Sequence, residues 1–293
     1  MIKNRSSAMY MYQVKGANPN GSPDWDNLPR TLSDESGMAT DNSLRAKLRE
    51  IMSDHTSPVF LEIAEALELD PEKYHVLESK FRGMNTEDAC EAAQACMLLA
   101  QENPDAFLDK YWDVRLFGTT LLEKKLKGQK EGLRFKKTGC VTISSAFSVA
   151  PIDTIESTIT KRFPFNEEHL KNENSDMAPQ AKKLVKHGLY VGQIGVNPHR
   201  AHTTKATKKD IEVLKYIFKY AFSVTEAACR PAGSINFAHI WWADHTNALG
   251  SFNELEFFET LQPKRIGEYI PSKGLEDYNI PTPDFQFDVE DLA

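Results

Sequence analysis

Three sets of side chains in this sequence have the chemistry to engage a phosphodiester. The first lies in GANPNGSPDWDNLPR, residues 16–30, where Asn18, Asn20 and Gly21 follow a hydrophobic stretch. Glycine removes the side-chain obstruction and both residue types tolerate positive φ, so backbone N–H groups in such a loop can approach a phosphate closely. The second set is Asp24, Asp26 and Asp41, carboxylates able to hold a metal ion for phosphodiester cleavage, a reading outweighed by the ordinary use of aspartate in turns and helix caps. The third set is cationic: Arg45, Lys47 and Arg49 alternate along TDNSLRAKLR. His199 and His202 in NPHRAH lack a carboxylate or cysteine at ligand spacing and read as loop residues rather than metal ligands.

The net charge of −7 over 293 residues argues at first against a polyanionic partner. The charge is segregated, however. Residues 54–113 hold 14 acidic against 4 basic side chains and residues 251–293 hold 10 against 3, whereas 115–137 hold 8 basic against 2 acidic and 160–215 hold 11 against 6. A chain patterned this way can present a basic groove. GxxxxGK[ST], GxGxxG, HExxH and GxSxG are all absent, which counts against nucleotide hydrolysis, dinucleotide binding and metalloprotease or serine-hydrolase chemistry. With 41% apolar and 26% charged residues, no apolar run near membrane-spanning length, no leader-like start and four cysteines without a CxxC pair, a soluble cytoplasmic protein is expected.

The elements that must position these residues follow from periodicity. SAMYMYQVK is strand-like and ends at Gly16. A helix capped at Asp41 or Asn42 runs to about Met52 on the stripe Leu44, Leu48, Ile51 and Met52, with Arg45 and Arg49 bordering it on one side and Lys47 on the other. Residues 58–113 read as helical throughout, an acidic inserted lobe whose Cys90 and Cys96 are expected as core thiols. VRLFG is short and apolar, and LEKKLKGQKEGLRFKK reads as an exposed loop or ribbon. Residues 139–152 form a strand, 163–187 a polar excursion, 187–197 and 234–243 further strands, and 208–228 an amphipathic helix. Of Trp241 and Trp242, one is expected in the core and the other as a stacking platform or interface anchor. The order is that of an α+β fold, a βαββαβ ferredoxin-like core with large insertions.

Taken together, NPNGSPD after the first strand, TDNSLRAKLR, DVRLFG, GCVTISSAFSVAPI with ITKRF, HGLYV and GVNP resemble, in order and spacing, the CRISPR-associated RNA-binding backbone family, the seventh Cas family of the RAMP superfamily, nearest its type I-C and I-B members. The resemblance runs from about Tyr10 to Trp242, with Ser22 and Cys140 standing where the family often has Asp and Pro.

The resemblance implies a hand-shaped subunit. An RRM-like palm would comprise 1–53, 114–162 and 186–250, a helical finger insertion 54–113, a projecting thumb 163–187, and a C-terminal segment packing on the palm 251–293. Copies would stack in a helical filament along CRISPR RNA beside a Cas-five-type subunit and large and small subunits, presenting the guide for target DNA pairing, with no membrane, cofactor, metal or catalysis. The alternative is a metal-dependent endoribonuclease of type III kind, using Asp24, Asp26 or Asp41. The RNA contacts it implies are Asn18, Asn20, Gly21, Arg45, Lys47, Arg49, Arg115, Lys124, Lys125, Lys136, Lys137, Lys161, Arg162, His199 and Arg200, with Met177, Lys182, Lys183 and Leu184 on the thumb. The aromatic RRM motif is missing, so bases are not expected to stack across the sheet.

Overall fold

The computed structural model describes residues 1–23, 27–78, 85–122, 134–161, 178–267, 272–282, 284–285 and 287–293. Alternation in the first strand, β1 (Ser6–Ala17), sends Ala8, Tyr10, Tyr12 and Val14 to one side and Met9 and Met11 to the other. Both sets are buried, so this strand is the middle of a sheet covered on two faces.

Its partners are β8 (Ala178–Val196) and β9 (Ile235–Asp244), both antiparallel to it, with Ser6 opposite Val196 on one side and Asp244 on the other. Beyond β8 come β6 (Ala146–Pro151) and β2 (Ser36–Ala39), and beyond β9 comes β12 (Val289–Asp291), giving the order β12-β9-β1-β8-β6-β2 among the described residues. The expected single strand over 139–152 is two: β5 (Val141–Ile143) and β6 part at Ser144–Ser145, where Ser144 Oγ accepts from the Gln193 N–H at 2.8 Å and replaces a ladder bond.

One face of the sheet is covered by α1 (Asp41–Ser53) through Leu44, Leu48, Ile51 and Met52, and by α7 (Lys208–Phe218) through Ile211, Val213, Leu214, Ile217 and Phe218. Thr40 caps α1, and Thr207 and Asp210 form a reciprocal capping box on α7. The second helix is shorter than its periodicity predicts, because the Tyr220 and Ala221 N–H groups turn back to the Ile217 and Phe218 carbonyls and tighten the chain out of the helix. The other face is covered by α8 (Glu254–Leu261), through Phe257 and Leu261, and by Tyr278, Phe285 and Phe287. Trp241 and Trp242, each 2% exposed, therefore pack into opposite cores, and neither is a platform.

The acidic lobe contains α2 (Pro58–Ala66), α3 (Thr86–Glu102) and α4 (Pro104–Lys110). Cys96 is buried there, whereas Cys90 is exposed, because the two thiols lie on different sides of α3. VRLFG forms most of α5 (Trp112–Phe117), which stops at Gly118 with φ +79°, where a Cβ would collide with the Lys137 carbonyl. The basic stretch after it is a two-stranded ribbon, β3 (Gly118–Leu122) against β4 (Arg134–Thr138). A second ribbon pairs β7 (Thr154–Lys161) with the first part of β8, from Thr154 opposite Val185 to Lys161 opposite Ala178. Two short strands, β10 (Lys264–Arg265) and β11 (Tyr278–Asn279), and a helix, α6 (Pro198–Thr204), complete the described elements.

The second-face cover is pinned by two buried histidines. His187 Nε2 faces the Gln13 amide nitrogen at 2.8 Å and so accepts, leaving Nδ1–H to donate to Ser272 Oγ at 2.6 Å. His245 Nδ1 accepts from the Ser251 N–H at 2.8 Å, and Nε2–H donates to Ser7 Oγ at 3.1 Å. Burial lowers both pKa values from the ordinary 6.5, so the unfolded chain takes up protons that the fold excludes. Stability contributed by the neutral rings is present above about pH 6.5 and lost as pH falls below it. Urea midpoints measured from pH 8 to pH 5 are therefore expected to fall below pH 6.5, and His245→Asn to flatten that fall; a flat wild-type profile would refute the assignment.

Candidate nucleic-acid interface

The glycine–asparagine loop leaves β1 and turns back onto the start of α1. Asn20 Oδ1 accepts from both the N–H and the hydroxyl of Thr40, each at 2.9 Å, which ties the loop to the residue that caps α1. Asn18 is 6% exposed, and its amide donates to the Asn27 carbonyl at 2.9 Å and the Lys183 carbonyl at 3.1 Å, joining the loop to the β7–β8 ribbon. Its own N–H reaches the Cys229 carbonyl at 2.8 Å. Gly21 bridges to Pro29, and a Cβ there would sit 3.0 Å from the Asn27 carbonyl. The Asn18 amide nitrogen and the Asn20 carbonyl oxygen are thus engaged within the chain and hold the loop's shape, while Asn18 Oδ1 is buried without a hydrogen-bond partner.

The cations divide into three groups. At this loop end, Arg45 pairs with Asp41 one turn back on α1, and Lys47 lies 6% exposed with its Nζ donating to Ser43 Oγ at 3.0 Å. Burial pushes the Lys47 ammonium down to about 8, helped by the nearby Arg230 guanidinium. Lys182, Lys183 and Leu184 stand half-buried on β8 beside the loop, Lys183 with Glu156 at 3.7 Å. Residues 178–187, placed by the sequence in the projection, are the opening of β8 itself, because their ladder with β7 runs straight into the sheet.

At the other end of the sheet, exposed Lys136 and half-buried Lys137 on β4 adjoin α6, which carries exposed His199 and half-buried Arg200; Lys137 Nζ reaches the Thr203 carbonyl at 3.4 Å. Val196, just before α6, pairs with Ser6, while Val185 pairs with Ala17, so the two groups are separated by the length of β1, roughly 36 Å at 3.3 Å per residue. The sequence reading pooled them; the structure sets them at opposite ends.

The third group is internal. Arg115 is 4% exposed and all five of its N–H groups are used within the chain: two on the Asp210 carboxylate at 3.1 and 2.7 Å, and three on the Leu108, Asp109 and Lys73 carbonyls at 2.8, 2.6 and 2.9 Å. Arg49, 8% exposed, bonds Asp113 at 3.2 Å and Glu78 at 2.5 Å. Burial raises the Asp113 pKa, countered by N–H donation from Leu77 and Glu78 and by the Arg49 charge. These two arginines fasten the acidic lobe to the sheet, and neither counts among the surface cations.

Lys124, Lys125, Arg162 and Met177, and the carboxylates Asp24 and Asp26, lie outside the described residues, and Lys161 ends β7. Among the described residues no three His, Cys, Asp or Glu side chains gather as a metal site, and no helix is long and apolar enough to cross a membrane. Arg30 and Arg230, which the sequence reading passed over, flank the loop with buried Nε atoms that lack a partner. Their only sequence signal is a lone arginine next to turn residues.

Compared with known proteins, 133 residues are 31% identical to a CRISPR-associated protein Cas7 of Haloferax volcanii, a match spanning 45% of this chain and 36% of that relative's length. Among solved structures, a CRISPR RNA-guided surveillance complex, pre-nicking, gives a TM-score of 0.44 at 12% identity over 82% of this chain and 78% of its own. A second CRISPR RNA-guided surveillance complex gives 0.42 at 14% identity over 82% and 68%. The family model described as CRISPR-associated protein Cas7 matches residues 4–283, from the start of the sheet's central strand to the aromatic cover of its second face, and the chain belongs to that family.

Proposed function

We propose that the chain binds CRISPR RNA without regard to sequence, as the repeated backbone subunit of a type I Cascade surveillance complex that presents the guide for pairing with target DNA. The family match over residues 4–283 carries this reading. The fold supports it: β9, β1, β8 and β6 stand in the order four-one-three-two of a split βαββαβ palm, with α1 and α7 as its crossover helices. The lobe at 54–113 takes the part of fingers and the β7–β8 ribbon that of a thumb. Both faces of the sheet are covered, so the guide runs along loops and helix edges, where contacts go to phosphate and ribose. Such contacts suit a guide of any sequence, and copies of the subunit repeat along it. The role is binding and needs no catalysis.

Expression with a CRISPR array followed by sequencing of co-purifying nucleic acid tests this directly. RNA of guide length is expected; a nucleic-acid-free protein would overturn it. Within that reading, Arg45→Ala removes one phosphate contact made by a half-buried guanidinium beside Asp41, and the log–log slope of affinity against salt should shrink by about 0.7. An unchanged slope would remove Arg45 from the interface.

A further inference from the structure

Leu249, in the turn after β9, is 94% exposed, more than any other large apolar side chain among the described residues. A lone exposed leucine is ordinary on a protein surface. This one is held out by a built turn. Asn247 Oδ1 accepts from the Leu249 and Gly250 N–H groups at 2.9 and 2.8 Å, the Thr246 N–H donates to Ser251 Oγ at 3.1 Å, and Gly250 takes φ +113°, a conformation that favours glycine. Arg5 clamps the turn to the start of the chain: its N–H donates to the Asn247 carbonyl at 3.2 Å and its guanidinium to Glu254 at 2.7 and 2.9 Å. Next to Glu254 stand Leu255, 65% exposed, and the exposed Glu256.

A cavity of about 550 Å³ opens at the opposite edge of the sheet. One wall is residues 30–32, which pair with β2: the Met38 N–H donates to the Arg30 carbonyl and the Leu32 N–H to the Ser36 carbonyl, both at 2.8 Å. Leu28, Pro29, Leu32 and Met38 give an apolar lining, Leu32 is 42% exposed within it, and Arg30 adds a guanidinium whose buried Nε has no hydrogen-bond partner. Thr154, also in the lining, pairs with Val185, which pairs with Ala17, whereas Asp244, just before the turn, pairs with Ser6. The turn and the cavity therefore lie at opposite ends of β1, and on opposite sides of it, one following β9 and the other bordering β2.

We propose that the Leu249 turn of one copy of this chain docks in the cavity of the next, with Leu249 and Leu255 against the apolar lining and Glu256 on Arg30. Charge selects the partner. The turn opens the segment 251–293, with 10 acidic against 3 basic residues, while the cavity end carries Arg30, Arg45, Lys182 and Lys183. A rigid apolar anchor loses little conformational freedom on docking, and a carboxylate supplies the acceptor that the Arg30 guanidinium lacks. Within one chain the two surfaces cannot meet. Between copies the contact is heterologous, so it repeats head to tail instead of closing on itself. The inference rests on the reading that copies of the chain repeat, and it names the surfaces by which they meet; the docking itself needs no RNA. One small contact of this kind is transient, and it gains strength when many copies stand in a row.

The test uses the full chain stripped of nucleic acid, with exposed Cys90 and half-buried Cys229 replaced by serine. Oxidised glutathione acting on the double variant Leu32→Cys, Leu249→Cys should give a ladder of dimers, trimers and longer products on non-reducing gels, because each copy offers both ends. An equal mixture of the two single variants should stop at the dimer. Adding Leu255→Asp should suppress the ladder. Arg30→Glu or Glu256→Arg should each slow its formation about fivefold, and the two together should restore it. Melting temperature should be unchanged by Leu249→Cys, which separates lost docking from lost folding. A double variant that forms no ladder, stops at the dimer, or ignores Leu255→Asp and both charge reversals would overturn the head-to-tail contact. Guide-length RNA that shields the Leu32→Cys thiol from alkylation in a Leu249→Asp protein would give the cavity to RNA and overturn it too. A ladder from a protein that binds no RNA would support the contact while the RNA-binding reading fails, and RNA-bound particles without the ladder would keep that reading and overturn the contact.

Discussion

Replacing Arg115 with alanine should lower the melting temperature by on the order of 10 °C and leave the RNA affinity of the folded protein unchanged. The size follows from its surroundings. Removing one partner of a buried, hydrogen-bonded ion pair costs roughly 3–5 kcal/mol, because the other charge is left without compensation. Here that charge is Asp210, 0% exposed, which also caps α7, so the loss spreads from α5 to the helix that covers the sheet. A protein of this size loses about 2–4 °C per kcal/mol. The double variant Arg115→Met, Asp210→Leu should recover part of the loss, since an apolar pair removes both charges together, although the capping bond to Thr207 stays lost. Thermal melts with a double-mutant cycle measure the coupling, and RNA titrations across salt measure the affinity. If Arg115→Ala keeps its stability while its salt slope shrinks, the guanidinium contacts RNA and its buried pairing is misassigned.

This expectation departs from the sequence reading, and the reason is general to the site. DVRLFG was recognisable as a signature from the sequence, but what it does depends on Asp210, 95 residues away, and on carbonyls at Lys73, Leu108 and Asp109. No local spacing encodes that meeting. Local physics was enough elsewhere. The period-two pattern of β1, the capped stripe of α1 and the apolar spacing of α7 all predict elements that the structure contains, because each is set by side chains within a few turns of one another. The β3–β4 ribbon was ambiguous for the opposite reason: Arg134, Lys136 and Thr138 are exposed and only Phe135 is buried, so the ladder has little apolar signal.

That 251–293 packs on the sheet was expected from the resemblance, but not that its aromatic side chains cover the second face, and Phe257→Ala is the substitution that exposes their role. Phe257 is 1% exposed and its ring lies 5.5 Å from Phe252, 5.3 Å from Phe258 and 5.3 Å from Phe285, over Met9, Met11 and Trp241 of the sheet. Truncating a buried phenylalanine of this kind costs roughly 3–5 kcal/mol, partly as lost transfer energy and partly as the cavity left behind. Because the aromatic cover holds α8 and the chain around Tyr278 to the sheet, protease cleavage within 251–293 should accelerate in the variant well before the melting transition. RNA affinity at low temperature should stay within twofold of the wild type, since the cations at the loop and at α6 lie outside this cluster. A variant that keeps its fold and its protease resistance but loses RNA would place the second face in the interface, and would make the C-terminal segment a movable cover over a stacking surface rather than a fixed part of the core.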